Sequence, residues 1–262
     1  MSDVLVLSYH AVSNSWPAAL SVGPDDLESQ LRLLARRGYE GIRFADAALC
    51  RRERPVVAVT FDDAYRSVLV LARPILEQLG FPGTVFAASD FVSAGRAMTW
   101  PGIDRWLGGE HERELLPLSW DELRDLADEG WEVGSHTCSH PYLTRLDDSA
   151  LDRELVESRA LIEAQLGRPC TSIAYPYGDH DERVLHAAAR AGYRAGCTVP
   201  RRLTKPRPLA WPRVGVYNGN GNAAFRFKIS PAGRRLRQSR LWPLVDGSFR
   251  ATRNAVRGCR RP

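Results

Sequence analysis

Few features of this chain would settle its class at once. Its five cysteines (Cys50, Cys138, Cys170, Cys197 and Cys259) are odd in number and scattered, with no CxxC pair. That argues against a disulfide framework and against a cysteine zinc site. No apolar run approaches the roughly 18 residues of a transmembrane helix. The opening "MSDVLVLSYH" lacks a basic leader, and its short apolar stretch already carries Ser8, Tyr9 and His10. It reads as a first strand rather than a signal peptide, so a cytoplasmic location is expected. Acids are almost missing from the end of the chain: from Arg226 onward there are 11 Lys and Arg against Asp246 alone, a net +10. Residues 1–225 hold 25 bases and 30 acids, a net −5, so the overall +5 describes a basic tail on a mildly acidic body. No nucleic-acid motif accompanies that tail, and none of the sequence repeats internally; nucleic acid is not an expected partner.

The 262 residues, 44% hydrophobic and 26% charged, suffice for a sizeable core. One punctuation recurs: a helical stretch ends in Gly and an apolar segment follows, at Gly38, Gly80, Gly130 and Gly192. "SWDE" (Ser119, Glu122) and "SALD" (Ser149, Asp152) have the spacing of helix-opening capping boxes. Strands are predicted at 4–9, 42–44, 56–61, 83–88, 131–135, 171–175, 194–198 and 213–217. Helices are predicted near 25–37, 66–79, 119–129, 149–166 and 180–191. The strands are continuously apolar, as in parallel sheets covered on both faces. Seven or eight alternating units in one domain point to an α/β barrel, whose chemistry gathers at the C-terminal ends of the strands. The long stretch 89–118, with Trp100 and Trp106, reads equally well as a wall over such a site or as a solvent-covered excursion.

Four short segments at the ends of predicted strands, and a fifth at the start of one, carry residues capable of chemistry. "TFDD" places Asp62 and Asp63 side by side, where they repel each other and are costly to desolvate. A metal ion would relieve one and leave the other as a base; alone, the pair reads more readily as a turn or helix cap. "SHTCSH" places His136 and His140 four apart, a spacing that lets two imidazoles face one ion if the segment turns helically. With one aspartate they make three ligands with positions left open. "AYPYG" bends the chain so that the Tyr177 N–H can face a developing oxyanion. "SYH" sets His10 on the same rim, where it could protonate a leaving group. "WPRVGV" adds Arg213, able to sit near a carboxylate and hold it ionised.

In their order and spacing, "TFDD" (60–63), "SHTCSH" (135–140) and "AYPYG" (174–178) resemble the polysaccharide deacetylase family, also described as NodB-homology or carbohydrate esterase family four. The similarity covers about 1–225. It implies a distorted (β/α)7 TIM-like barrel for the catalytic domain, 1–225, followed by a basic, partly helical or disordered tail, 226–262. It also implies a hydrolase that removes N-acetyl groups from an amino-sugar glycan or glycoconjugate and releases acetate. By resemblance, Asp62 is the general base; Asp63, His136 and His140 hold one divalent ion, zinc in the first instance, with cobalt or nickel as substitutes; and Tyr177 supplies an oxyanion N–H.

Two positions depart from the family pattern. The arginine that usually opens the third motif is Ala174 here, and Arg213 is assigned its role of orienting the base. The late Leu-x-His motif is missing, since no histidine follows His186. Members that begin with a similar Tyr-His use that early histidine instead, which makes His10 the general acid. Three other readings stand beside this one: a carbohydrate-binding relic with a decayed site, favoured by Ala174; a metal hydrolase of another ester or amide; and a non-haem iron oxygenase, whose ligand spacing differs. The tail mixes Arg with Leu236, Leu241, Trp242, Leu244 and Phe249. It suggests peripheral contact with the inner face of a membrane.

Overall fold

The computed structural model describes residues 3–200, 202–239 and 242. Its main sheet is parallel throughout and runs in the order Val4–Tyr9, Val56–Phe61, Gly83–Ala87, Glu132–Ser135, Ser172–Ala174, Ala195–Thr198 and then Trp211–Pro212. On its other side the first strand pairs with Val214–Gly215. These last two short strands are halves of one stretch of chain, parted only by Arg213. Trp211 and Pro212 register with Cys197 and Thr198; Val214 and Gly215 register with Leu7 and Ser8. One segment thus brings the two edges together, and the result is a small parallel barrel. Burial on both faces explains strands such as Val56–Phe61, in which every residue is buried.

The predicted strand at 42–44 does not form. A two-residue strand, Glu40–Gly41, pairs with the start of Val56–Phe61, and a helix, Phe44–Leu49, begins at once. Its first N–H groups are taken by side chains of the barrel: Phe44 N–H donates to Thr84 Oγ1 (3.0 Å) and Ala45 N–H to Glu132 Oε2 (2.9 Å). The helix touches the paired strands Val4–Tyr9 and Val56–Phe61 and also Ala195–Thr198, which pairs with neither, so it lies across the barrel rather than outside it. Phe44 fills the interior with Phe86, ring centroids 5.8 Å apart, among the small residues Ala58, Ala174 and Ala195. An apolar segment that plugs a barrel looks, by composition, like one of its staves.

Other elements differ in detail. The helix predicted from 149 is Asp148–Leu166, and its cap is Asp147, which accepts from Ala150 N–H at 2.7 Å; the "SALD" box does not form. The Ser119–Glu122 box is present in full. The expected helix at 66–79 is split into a π-helical turn, Val68–Ala72, and an α-helix, Arg73–Gln78.

The boundary drawn at 225 falls inside a helix, Asn222–Ile229, followed by Pro231–Gln238. Both pack on the barrel. Phe225 is fully buried. Arg234 donates twice to the Asp3 carboxylate at 2.6 Å, and Lys228 donates to Gly215 O at 3.0 Å. The remainder of the tail assigned to 226–262 lies outside the described residues, apart from Ser239, with its neighbours before it, and Trp242. No described helix is long and apolar enough to cross a membrane.

Candidate active site

Alternation along two paired strands places the first functional side chains. Val6, Ser8 and His10 share one face of the first strand; Ala58, Thr60 and Asp62 share the matching face of its neighbour, with Val6 opposite Ala58 and Ser8 opposite Thr60. Val6 and Ala58 belong to the interior cluster, so His10 and Asp62 emerge above it at the C-terminal rim. Continued alternation would turn Asp63 away. Instead Asp63 and Ala64 adopt left-handed backbone, φ 69° and 55°, and both carboxylates face the same cavity. Thr137 (φ 67°), His140 (φ 61°) and Tyr177 (φ 60°) are left-handed too. Such conformations cost free energy in a non-glycine residue and persist where surrounding contacts impose them.

Those contacts are visible around the histidines. His136 N–H donates to Ala87 O at 2.8 Å. The loop behind it is gripped by Glu154 from the helix Asp148–Leu166: Oε2 accepts from the N–H groups of Cys138 (2.8 Å) and Ser139 (3.0 Å), and Oε1 accepts from Ser139 Oγ (2.5 Å). Thr137 Oγ1 accepts from His140 N–H at 3.2 Å. Asp179 ties the "AYPYG" turn to its neighbour by accepting from Thr144 N–H (2.8 Å) and Oγ1. That turn's own bonds come from Gly178 and Asp179 N–H, not from Tyr177.

The two aspartates live in different surroundings. Asp62 accepts two hydrogen bonds from Arg213, Nη1 to Oδ1 and Nη2 to Oδ2, both 2.7 Å. Arg213 is fully buried, donates also to Thr60 Oγ1 (2.8 Å), and rests 5.6 Å above the Phe86 ring. Burial alone would raise the Asp62 carboxyl; the Arg213 guanidinium and the nearby imidazoles outweigh it and hold the group well below the usual carboxylate range. His10 Nε2 stands 3.8 Å from Asp62 Oδ2, and burial, only partly offset by the carboxylates, pushes its pKa down. Arg213 therefore meets Asp62 in the way proposed for the arginine missing at position 174. Ala174 itself contributes a carbonyl.

Asp63 has no arginine. Its Oδ1 lies 3.2 Å from His136 Nε2 and 3.4 Å from His140 Nε2, with no hydrogen bond satisfying it. The three ligand atoms lie within 4.8 Å of one another, and all three residues are buried. His136 Nδ1 is 2.7 Å from Ala174 O, an acceptor, so Nδ1 carries the proton and Nε2 presents a lone pair toward Asp63. Either a proton on His136 Nε2 or a cation between the groups would satisfy the carboxylate. Burial works against charge on His136, but Asp63, Asp62 and the Ala174 carbonyl prevail and raise its pKa, while burial drives His140 down to about 3. The donor set, buried and lacking its own counter-charge, fits a divalent ion with open positions.

His10, Asp62, Asp63, His136, His140, Tyr177 and Arg213 all line one cavity of about 350 Å³. Trp100, Trp106 and Tyr142 form part of its wall. A family model for polysaccharide deacetylases matches residues 51–196. The chain belongs to this family. Among relatives of this deacetylase-family chain is Bacillus subtilis YxkH, which bears the family's name and is 26% identical over 84% of this chain and 74% of its own length. The poly-beta-1,6-N-acetyl-D-glucosamine N-deacetylase of Staphylococcus aureus is 22% identical over 71% of this chain, and the match spans 63% of that longer protein. The Streptococcus pyogenes deacetylase PplD, solved in complex with acetate, superimposes with a TM-score of 0.73 at 22% identity, covering 87% of this chain and 98% of that one. The likeness to PplD speaks for the fold.

Sequence reasoning missed Glu154, Asp179 and Tyr142. Glu154 sits 16 residues past Cys138 on a helix, and nothing in its local pattern marks it as facing a loop. The Asp62–Arg213 pair yields a stability prediction. A depressed carboxyl contributes stability above the ordinary pKa of about 3.9, lost as pH falls through the folded value. In Arg213→Met, burial without the guanidinium raises Asp62 instead, so acid relieves the variant. Denaturant unfolding should show a deficit of about 3–5 kcal/mol near neutral pH that shrinks toward about pH 4. A deficit equal at both pH values would contradict this account of the pair.

Proposed function

We propose that this chain is a metal-dependent hydrolase that removes N-acetyl groups from an amino-sugar glycan or glycoconjugate. The observation that carries the reading is the division of labour between adjacent carboxylates: Asp62 is locked to Arg213, while Asp63 converges with His136 and His140 in the same cavity. A divalent ion held by Asp63, His136 and His140, zinc in the first instance, would supply Lewis-acid chemistry, polarising an acetamide carbonyl and making water more acidic. Asp62, ionised across the neutral range, takes a proton as the water oxygen bonds to the carbonyl carbon. The Tyr177 N–H faces the oxygen that gains charge. His10, 3.8 Å from Asp62, receives that proton and passes it to nitrogen as the C–N bond breaks. Acetate and a free amine result. The name of the S. aureus relative supports an N-acetylglucosamine polymer as the substrate class. The guanidinium on Asp62 weighs against a decayed binding site, since Ala174 was the reason to suspect one.

The surface of the last helices supports a reading of where the protein works. Phe227 and Leu236 are 44% and 42% exposed, and Arg226 and Arg235 stand exposed beside them in the sequence. No acid occurs between Arg226 and Val245. We infer a peripheral contact with an anionic membrane surface from the cytoplasmic side, where each Arg contributes about 1 kcal/mol. An acetylated glycan assembled at that face would then be within reach.

Two outcomes are expected. Zinc- or cobalt-loaded protein should release acetate from N-acetylglucosamine oligomers, a chelator should stop it, and His10→Asn should lower kcat by about 10²–10⁴. A chain that holds one metal ion yet releases no acetate from any acetamido sugar would refute the N-deacetylase reading. Separately, the double variant Arg226→Glu/Arg235→Glu should lose sedimentation with phosphatidylglycerol vesicles at least about tenfold, with turnover of soluble oligomers unchanged. Undiminished sedimentation would remove the membrane contact.

A further inference from the structure

The two imidazoles that face Asp63 are held in different ways. His136 has its second nitrogen fixed by a carbonyl, Nδ1 to Ala174 O at 2.7 Å. His140 has no such bond: its Nδ1 is buried and without a hydrogen-bond partner among the described residues. Metal-binding histidines almost always secure their outer nitrogen on an acceptor, because that bond fixes ring orientation. His140 also sits on left-handed backbone, φ 61°, a conformation that persists where surrounding contacts impose it.

Its ring is held by another ring. Trp100 stacks on His140 with centroids 4.1 Å apart and planes 18° from parallel. Trp100 is itself buried, and Phe91 braces it edge-on at 5.0 Å. Tyr177 meets His140 edge-on from another side at 4.6 Å. The base of the excursion that carries Trp100 is pinned by Met98 N–H to Leu115 O at 2.9 Å. The long stretch 89–118 thus forms a wall of the cavity, with Trp100 in its lining, rather than a solvent-covered excursion.

We propose that Trp100 is a positioning residue for the metal centre: its indole face orients His140 in place of the missing hydrogen bond. This rests on the reading of Asp63, His136 and His140 as the ligand set. A ligated imidazole carries partial positive charge, and the face of an indole attracts such charge. Ion binding and the seating of Trp100 then favour each other, and the coupling is reciprocal.

Zinc affinity, read by competition with a chromophoric chelator, tests this without any substrate. Trp100→Leu should weaken zinc about 10- to 100-fold, and Trp100→Phe should recover part of the loss. Trp106→Leu, which changes the same cavity wall away from His140, should stay within about twofold of wild type, a difference below about 0.4 kcal/mol. Wild-type affinity in Trp100→Leu would overturn the inference alone; wild-type protein that takes up no zinc would overturn the ligand set as well. Should Trp100→Leu fail to fold, hydrogen exchange on the intact chain decides. Backbone amides of residues 97–107 should exchange more slowly with zinc present, and unchanged exchange would overturn the proposal.

Discussion

Two carboxylates on consecutive residues, both sealed from solvent, constrain everything around them. Neither can stay ionised in a buried rim without a positive partner, since desolvation costs several kcal/mol per ion. Asp62 finds Arg213, and Asp63 converges with two imidazoles. The Asp62 pair also shapes the barrel. Arg213 is the residue at which the last strand stops pairing with Ala195–Thr198 and starts pairing with Val4–Tyr9. Its side chain points into the interior, between Asp62 above and Phe86 below, with Phe44 beneath. Ion pair, aromatic layer and plugging helix form one stack along the barrel, and small interior residues such as Ala58 and Ala174 leave room for it.

The strained backbone has the same origin. Every non-glycine residue with positive φ among those described belongs to "TFDDA", "SHTCSH" or "AYPYG". Each is a place where a strand end must reverse sharply so that a side chain or N–H reaches the common cavity. The cost is offset by buried side-chain bonds from Glu154 and Asp179 and by packing of the histidine rings against Trp100 and Tyr177. Tyr142 extends that packing outward, stacked on Tyr177 at 4.0 Å with Arg145 over its ring at 4.1 Å.

Much of this was legible before any coordinates. Parallel strands declare themselves by unbroken apolar runs, and the motifs follow them directly, so Asp62, Asp63, His10, His136, His140 and Tyr177 could be placed on one rim. Arg213 could be suspected because Ala174 leaves the base without its usual arginine and Arg213 was free to sit near a carboxylate. What could not be read depends on contacts between distant segments. Residues 42–44 have the composition of a strand, but at Phe44 a helix begins whose first N–H groups are taken by the distant side chains of Thr84 and Glu132. Trp100 and His140 are 40 positions apart, and ring stacking leaves no periodic trace. The Glu154 grip on Cys138 and Ser139 depends on how a long helix is rotated. The helices after 221 read as a detached basic tail because their charge is conspicuous, whereas their anchors, Phe225 and the Arg234–Asp3 pair, are individually ordinary.

The central claim is that adjacent aspartates do different work, one for the ion and one for the proton. Zinc affinity and acetate release measured together on Asp62→Asn and Asp63→Asn test it most directly. The account predicts that Asp62→Asn binds zinc within a few-fold of wild type while losing turnover, and that Asp63→Asn loses the metal itself. Equal loss of zinc in both variants would contradict it, because the two carboxylates would then share one role.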